Sequence, residues 1–280
     1  MFMNIAVVGL GLIGGSICKA IKKNTDYACF GLDTNKNIVT AALADKSIKK
    51  EITPDNLNEA DIVIICLYPE QIISFAAANI NKFKKGGIII DAGGIKTEIC
   101  EKLYPVFKNS GVDFIGAHPM AGREFSGYDY SQADLFQDAS FIITPYPETP
   151  DKKIKTIEDL TKKIGFGKFV ITTPREHDKI IAYTSQLAHI VSNAYVKSPT
   201  IDNKTGFSAG SFLDLTRVAK LNEEMWSSLM TSNRNFLIFE LQNIINNLNQ
   251  YLYSLENGDK NYLYDLLKEG RIIKEQSEEK

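Results

Sequence analysis

The chain is predicted to fold in two parts: an α/β domain built on a doubly wound parallel sheet over residues 1–173, and an all-helical domain over residues 174–280. Three observations carry that reading. The chain opens on a short apolar run, Ile5 to Val8, that stops at a glycine-rich turn. Apolar strand-like runs then alternate with helix-compatible stretches as far as Ile171, the pattern of parallel strands joined by crossover helices. From Pro174 onward every periodic segment has helical spacing.

The glycine turn is the most informative local feature. Gly9, Gly11 and Gly14 have G-x-G-x-x-G spacing, with Leu12 and Ile13 between them and a helix pattern following through Ile21. Gly9 makes the turn off the strand, Gly11 lets backbone approach a pyrophosphate, and Gly14 lets helix and strand pack closely. The helix N-terminus offers free N–H groups and a dipole that favours an anion. The second strand, Ala28 to Leu32, ends in Asp33, placed to accept hydrogen bonds from a ribose and to repel a 2′-phosphate. The N-terminal domain is therefore expected to be of Rossmann type and to bind NAD rather than NADP.

Further along, Ile62 to Leu67 is a buried strand, followed by Pro69 at the first position of a helix running to Asn79. Gly87 to Ile90 and Val112 to Ile115 are strands flanking a helix from Lys96 to Phe107. Asp138 to Thr144 and Lys168 to Ile171 complete the strand set, with a helix from Lys152 to Ile164 between them. Ligands bind beyond the C-terminal strand ends of such sheets, so the loops after Gly9, Leu67, Asp91 and Gly116 are the expected site. In the second domain, Glu176 to Val196, Leu213 to Leu221, Met225 to Leu252 and Tyr262 to Ile273 read as helices. Their many apolar positions predict a homodimer formed through this domain.

Composition narrows the function. With 44% hydrophobic and 24% charged residues and a net charge of −2, there is no basic field for nucleic acid. Cys18, Cys29, Cys66 and Cys100 form no C-x-x-C pair and read as reduced core residues. No apolar run is long enough for a membrane span, and no basic leader precedes the first strand, so a cytoplasmic protein is expected. No metal-ligand cluster, G-x-S-x-G or P-loop lysine is present.

The chain has three histidines. His118, in GAHPMAG, is expected in a loop directly after a strand, on the ligand edge. There it either takes a proton from an alcohol as hydride leaves, or simply bonds a backbone carbonyl. His177 and His189 fall on one helix, about 18 Å apart if it is straight, too far for both to touch one small substrate. His177, in the first turn, reads equally as a capping, surface or functional residue, and His189 as a core or cleft residue. Arg217 stands in the apolar context LTRVA, where burial would require an anion: Asp214 on the same helix, or a substrate carboxylate.

Taken together, GLGLIGGS, DAGGIK, GAHPMAGREFSG, EHDKIIAYTSQLAHI and FLDLTRVA resemble, in order, the prephenate dehydrogenase family. The resemblance implies NAD-dependent oxidative decarboxylation of prephenate to 4-hydroxyphenylpyruvate. It makes His118 the group that binds the ring hydroxyl and takes its proton, puts Arg217 on a substrate carboxylate and His189 in the substrate pocket. It makes Glu124 a pocket acid and adds Ser126 without a stated role. With the first strand starting at Asn4 and no sequence after Lys280 for a regulatory domain, a monofunctional enzyme is expected, with any tyrosine inhibition acting at the active site.

Five departures from the family pattern stand out. Gly94 replaces a common serine that the family pattern puts near the nicotinamide, so either water or a neighbour such as Thr97 takes over its role or turnover is lower. Arg123 replaces a small or polar residue, and either pairs with Glu124 or contacts a carboxylate. Gln186 and Ala188 replace histidine and proline, and Leu213 replaces a basic residue. Three alternatives remain: an arogenate or dual-specificity cyclohexadienyl dehydrogenase, a 3-hydroxyacid dehydrogenase of similar layout, and a catalytically silent NAD-binding sensor.

Overall fold

A computed structural model describes residues 3–123 and 125–278. Its N-terminal half is an eight-stranded sheet. The strands are β1 (Asn4–Val8), β2 (Ala28–Leu32), β3 (Lys50–Glu51), β4 (Ile62–Ile65), β5 (Ile88–Asp91), β6 (Asp113–Pro119), β7 (Ser140–Thr144) and β8 (Lys168–Ile171). Their order is β3-β2-β1-β4-β5-β6-β7-β8. The switch in winding direction falls between β1 and β4, where ligands enter doubly wound sheets.

Alternation along each strand builds two cores. Ile5, Val7, Ile62, Ile64, Ile88 and Ile90 pack under α1 (Leu12–Asn24), α2 (Lys36–Ala44) and α5 (Asp151–Lys163). Ala6, Val8, Val63, Ile65 and Ile89 pack under α3 (Pro69–Ala78) and α4 (Thr97–Phe107). Pro69 occupies the first turn of α3, where its missing N–H costs nothing.

The sheet is not wholly parallel. β6 runs parallel to β5 through Ile115, then pairs antiparallel with β7 from Gly116 to Pro119. Sequence alternation cannot report this, because β6 and β7 are joined by a long loop instead of a crossover helix. β6 also runs further than expected, so His118 lies within a strand, opposite Ile142 of β7, and not in the loop after it. The two-residue β3 is too short to leave a periodic signal.

From Pro174 the described chain is helical. α6 (Pro174–Ile181) passes into a π-helical stretch, Ala182–Leu187, and on into α7 (Ala188–Tyr195). The helix expected from Leu213 to Leu221 is instead α8 (Gly210–Thr216) followed by a 3-10 turn, Arg217–Ala219. The long helix expected from Met225 is divided at Asn233 into α9 (Glu223–Ser232) and α10 (Arg234–Glu256), and α11 (Lys260–Glu278) closes the set. Among the described residues no helix is long and apolar enough to cross a membrane.

Candidate active site

The glycine loop forms a cradle at the C-terminal end of β1. Gly9 has φ +87° and donates its N–H to Leu32 O at 2.8 Å. A Cβ there would stand 2.4 Å from Cys66 O, and one at Gly14 would stand 1.9 Å from Gly9 O. Both positions therefore require glycine for close packing. At Gly11, by contrast, a Cβ would meet nothing within 4 Å, leaving an open approach to the start of α1. No side chain caps that helix, so its first N–H groups are available to an anion. Leu12 and Ile13, half-buried in the first turn of α1, flank the approach.

Asp33 is more engaged than its position alone implies. Its Oδ2 accepts from Leu10 N–H at 2.8 Å and its Oδ1 from Asn35 N–H at 2.8 Å, so the carboxylate ties the glycine loop to the end of β2. It lines a cavity of about 340 Å³ together with Val8, Gly9, Leu32, Thr53 and Leu67. These residues fit a dinucleotide with its adenosine in this cavity and its pyrophosphate at α1.

The chemistry-bearing edge lies at the ends of β5 and β6. His118 Nδ1 is 2.9 Å from His177 Nε2, and His177 Nδ1 is 2.7 Å from Asp178 Oδ1. His177 is 2% exposed, so a surface role is ruled out. Asp178 also accepts from the Lys96 N–H at 2.7 Å and from the Thr97 N–H at 2.8 Å, capping α4 from α6. Beneath, the fully buried Lys96 ammonium pairs with Asp91 and donates to Ala117 O at 2.7 Å. Asp91 Oδ1 accepts from Ala117 N–H at 3.0 Å. This ion pair pins β6 beside β5, directly before His118.

Burial lowers the His118 pKa well below its ordinary value, and His177 and the Lys96 charge push the same way. Burial likewise lowers that of His177, against the opposing pull of Asp178. For Asp178 burial favours the acid form, but hydrogen bonds from His177, Thr97 and Lys96 outweigh it and hold the carboxyl below its usual range. A Cβ at Gly94 would stand 4.0 Å from His118 Nε2, so that nitrogen faces the loop after β5.

The other expected residues are placed as follows. His189 is half-buried and lies against Trp226. Arg217 begins the 3-10 turn and is exposed, which corrects the expectation drawn from its apolar neighbours: on that short turn Val218 and Ala219 are half-buried while Arg217 stays on the outside. α7 meets this turn through Asn193, whose side-chain amide donates to Ala219 O at 3.3 Å. Arg123 and Ser126 are exposed on the loop after β6. Glu124, and with it the Arg123–Glu124 pairing, lies outside the described residues.

Sequence reasoning assigns no role to Asp178, Lys96, Gln186, Trp226 or Asn233. Asp178 and Lys96 stand inside quoted motifs, but their roles depend on contacts between distant elements. Buried Gln186, in the π-helical stretch, accepts from Asn233 Nδ2 at 2.8 Å and donates to Leu229 O at 3.3 Å. The same Asn233 amide donates to Asp178 O at 2.8 Å. The break between α9 and α10 thus supports the histidine pair from behind.

Comparison with known proteins settles the family. Residues 17–171 match the model described as "Prephenate dehydrogenase, nucleotide-binding domain", and residues 173–269 match "Prephenate dehydrogenase, dimerization domain". The chain belongs to the prephenate dehydrogenase family. It is 31% identical to a cyclohexadienyl dehydrogenase of Zymomonas mobilis, over 97% of this chain and 94% of that one. It is 30% identical to a prephenate dehydrogenase of Lactococcus lactis, over 98% of this chain and 77% of that one. Among solved structures, the fold matches a prephenate dehydrogenase of A. aeolicus in complex with hydroxyphenyl propionate and NAD+, with a TM-score of 0.86 at 23% identity, covering 99% of this chain and 98% of that one. It also matches Synechocystis arogenate dehydrogenase, with a TM-score of 0.83 at 24% identity, covering 98% of this chain and 100% of that one.

Proposed function

We propose that this chain catalyses the NAD-dependent oxidative decarboxylation of prephenate to 4-hydroxyphenylpyruvate, a step of tyrosine biosynthesis, in the cytoplasm. The observation that carries the chemistry is the placement of His118, neutral and near the C-terminal end of β6, with Nε2 facing the Gly94 loop after β5.

The chain divides at Thr173, with the cofactor held before it and the substrate bound between residues of both parts. Gly9, Gly11, Leu12, Ile13, Gly14 and Leu67 hold the dinucleotide, Asp33 reads its ribose, and Gly94 leaves room at the nicotinamide end. When bound, NAD⁺ accepts the hydride from ring C4. His118 Nε2 takes the proton of the C4 hydroxyl as that carbon becomes a carbonyl. Loss of the C1 carboxylate as CO₂ sends its electron pair into the ring, and the oxygen at C4 takes the proton back as the phenol forms. Arg217 binds a substrate carboxylate with its planar fork. His189 holds the side-chain end, and Arg123, Glu124 and Ser126 border the pocket. Tyrosine, which shares the product's ring, competes at this same site.

A second reading, use of arogenate as well, is favoured by the cyclohexadienyl dehydrogenase relative. NADH formation measured side by side with prephenate and arogenate, each with NAD⁺ and NADP⁺, tests both. Turnover of prephenate with NAD⁺ is the expected result, and no turnover with either substrate would overturn the proposal.

A further inference from the structure

The hydrogen bonds around His177 determine more than its position. Asp178 Oδ1 receives the Lys96 N–H at 2.7 Å and faces His177 Nδ1 at 2.7 Å, while Oδ2 receives the Thr97 N–H at 2.8 Å. An ionised carboxylate only accepts, so His177 Nδ1 carries the proton. The His177 ring is neutral, which leaves a lone pair on Nε2. The nitrogen facing that lone pair at 2.9 Å is His118 Nδ1, which must therefore donate. The proton of the neutral His118 ring is then held at Nδ1, and Nε2 is bare on the side of Gly94.

We infer that His177 and Asp178 are positioning residues that fix His118 in the tautomer with its Nε2 lone pair toward substrate, and that they stabilise the imidazolium formed when His118 takes the hydroxyl proton. This rests on the reading of His118 as the proton acceptor. The groups facing His118 are Lys96 at the start of α4, Asp91 on β5, and His177 and Asp178 on α6. Lys96 and Asp91 neutralise each other as a buried pair, leaving Asp178 as the negative charge joined to the His118 ring through hydrogen bonds. A cap for α4 explains Asp178 alone; it does not call for a histidine bridging that cap to β6. The bridge also crosses between the sheet and the first helix of the helical part, so the base is aimed only when the two are docked.

The test has one readout in the wild-type enzyme and one in variants. With only three histidines in the chain, ring ¹⁵N spectra of histidine-labelled protein resolve each tautomer. At neutral pH, His118 and His177 are both expected to show protonated Nδ1 and bare Nε2; a protonated Nε2 on His118 would overturn the inference. His177→Leu leaves the Asp178 cap in place and removes the acceptor. It is expected to lower kcat by about 10²-fold, within the range of acid–base contributions, with NAD⁺ affinity unchanged. His177→Gln, which restores an acceptor near the Nε2 position, should recover most of that loss. Wild-type kcat in His177→Leu would also overturn the inference. If His118→Asn keeps full kcat, the reading of His118 fails instead, whatever the tautomers are.

Discussion

His189 lies on the face of Trp226, with ring centroids 3.9 Å apart and planes 30° apart. Its Nδ1 donates to Ser185 O at 2.9 Å, one helical turn back, which leaves Nε2 as the ring nitrogen not held by the helix. The stack and the carbonyl bond fix the imidazole in one orientation, which suits a group that binds substrate more than one that moves. His189→Asn is expected to raise KM for prephenate about tenfold, the loss of one hydrogen bond, with kcat little changed. Trp226→Leu should raise KM in the same direction through loss of the stack. Steady-state kinetics of both variants checks this. A fall in kcat at constant KM would move His189 into the chemical step.

His118 should dominate the acid limb of the pH profile. Burial, then His177, then Lys96 lower its pKa, so the neutral base persists below the ordinary histidine value of about 6.5. kcat/KM should rise with pH through that lowered value and stay level above it. The same shift acts on folding. His118 and His177 both bind protons more readily unfolded than folded, so stability is full above about pH 6.5 and is lost as pH falls toward their folded values. His118→Asn should lower kcat by about 10²–10⁴-fold without weakening NAD⁺ binding. Unchanged kcat would remove it from the mechanism.

Gly94 has room for a serine. The added Cβ would touch Leu229 at 3.5 Å, an ordinary contact, and lie 4.0 Å from His118 Nε2. A hydroxyl one bond further out reaches hydrogen-bonding distance of that nitrogen. Gly94→Ser is expected to fold with stability within about 0.5 kcal/mol of the wild type and to raise kcat. Thermal unfolding and NADH formation measure the two. A lowered kcat would mean that the substrate hydroxyl already fills this space.

Asp33 ties the glycine loop to the end of β2, and the proposed function also gives it the ribose. Asp33→Ala removes the acid that repels a 2′-phosphate, so the ratio of KM for NADP⁺ to KM for NAD⁺ should fall. It also frees Leu10 N–H, which loosens the glycine loop, so KM for NAD⁺ itself should rise. An unchanged ratio would show that another residue reads the ribose.

The helical part has a small core of its own and a large uncovered face. Ala182, Leu187 and Leu237 are its buried cluster, while Phe239 on α10 and Leu255 near its end are 61% and 64% exposed. Ile245, Leu248, Leu252 and Leu267 add to the exposed apolar surface. An apolar area of this kind is normally covered by a partner, and the family description of this region as a dimerization domain agrees. Size-exclusion chromatography with light scattering should give twice the mass of the chain at micromolar concentration. A monomer there would refute the homodimer.

Much of the fold is legible in the linear chain. The runs Ile5 to Val8, Ile62 to Ile65 and Ile88 to Ile90 are apolar because both faces of a parallel sheet are covered, and the glycine spacing marks the turn that follows the first of them. The motifs around His118 and Arg217 point to the family, because each carries its chemistry in a few adjacent residues. What the linear pattern cannot hold is anything made between distant segments. His118 and His177 are 59 residues apart and meet only because the Asp178 carboxylate docks α6 onto the first N–H groups of α4. The antiparallel β7, the π-helical stretch at Gln186 and the break at Asn233 belong to the same class. At the last two, buried polar side chains find their partners across the fold: Gln186 with Leu229 and Asn233, and Asn233 with the Asp178 carbonyl. Local periodicity and short motifs are enough to specify the sheet, the cofactor loop and the family. Which histidine supports which is a matter of tertiary structure, because it depends on the packing of a helix against a sheet.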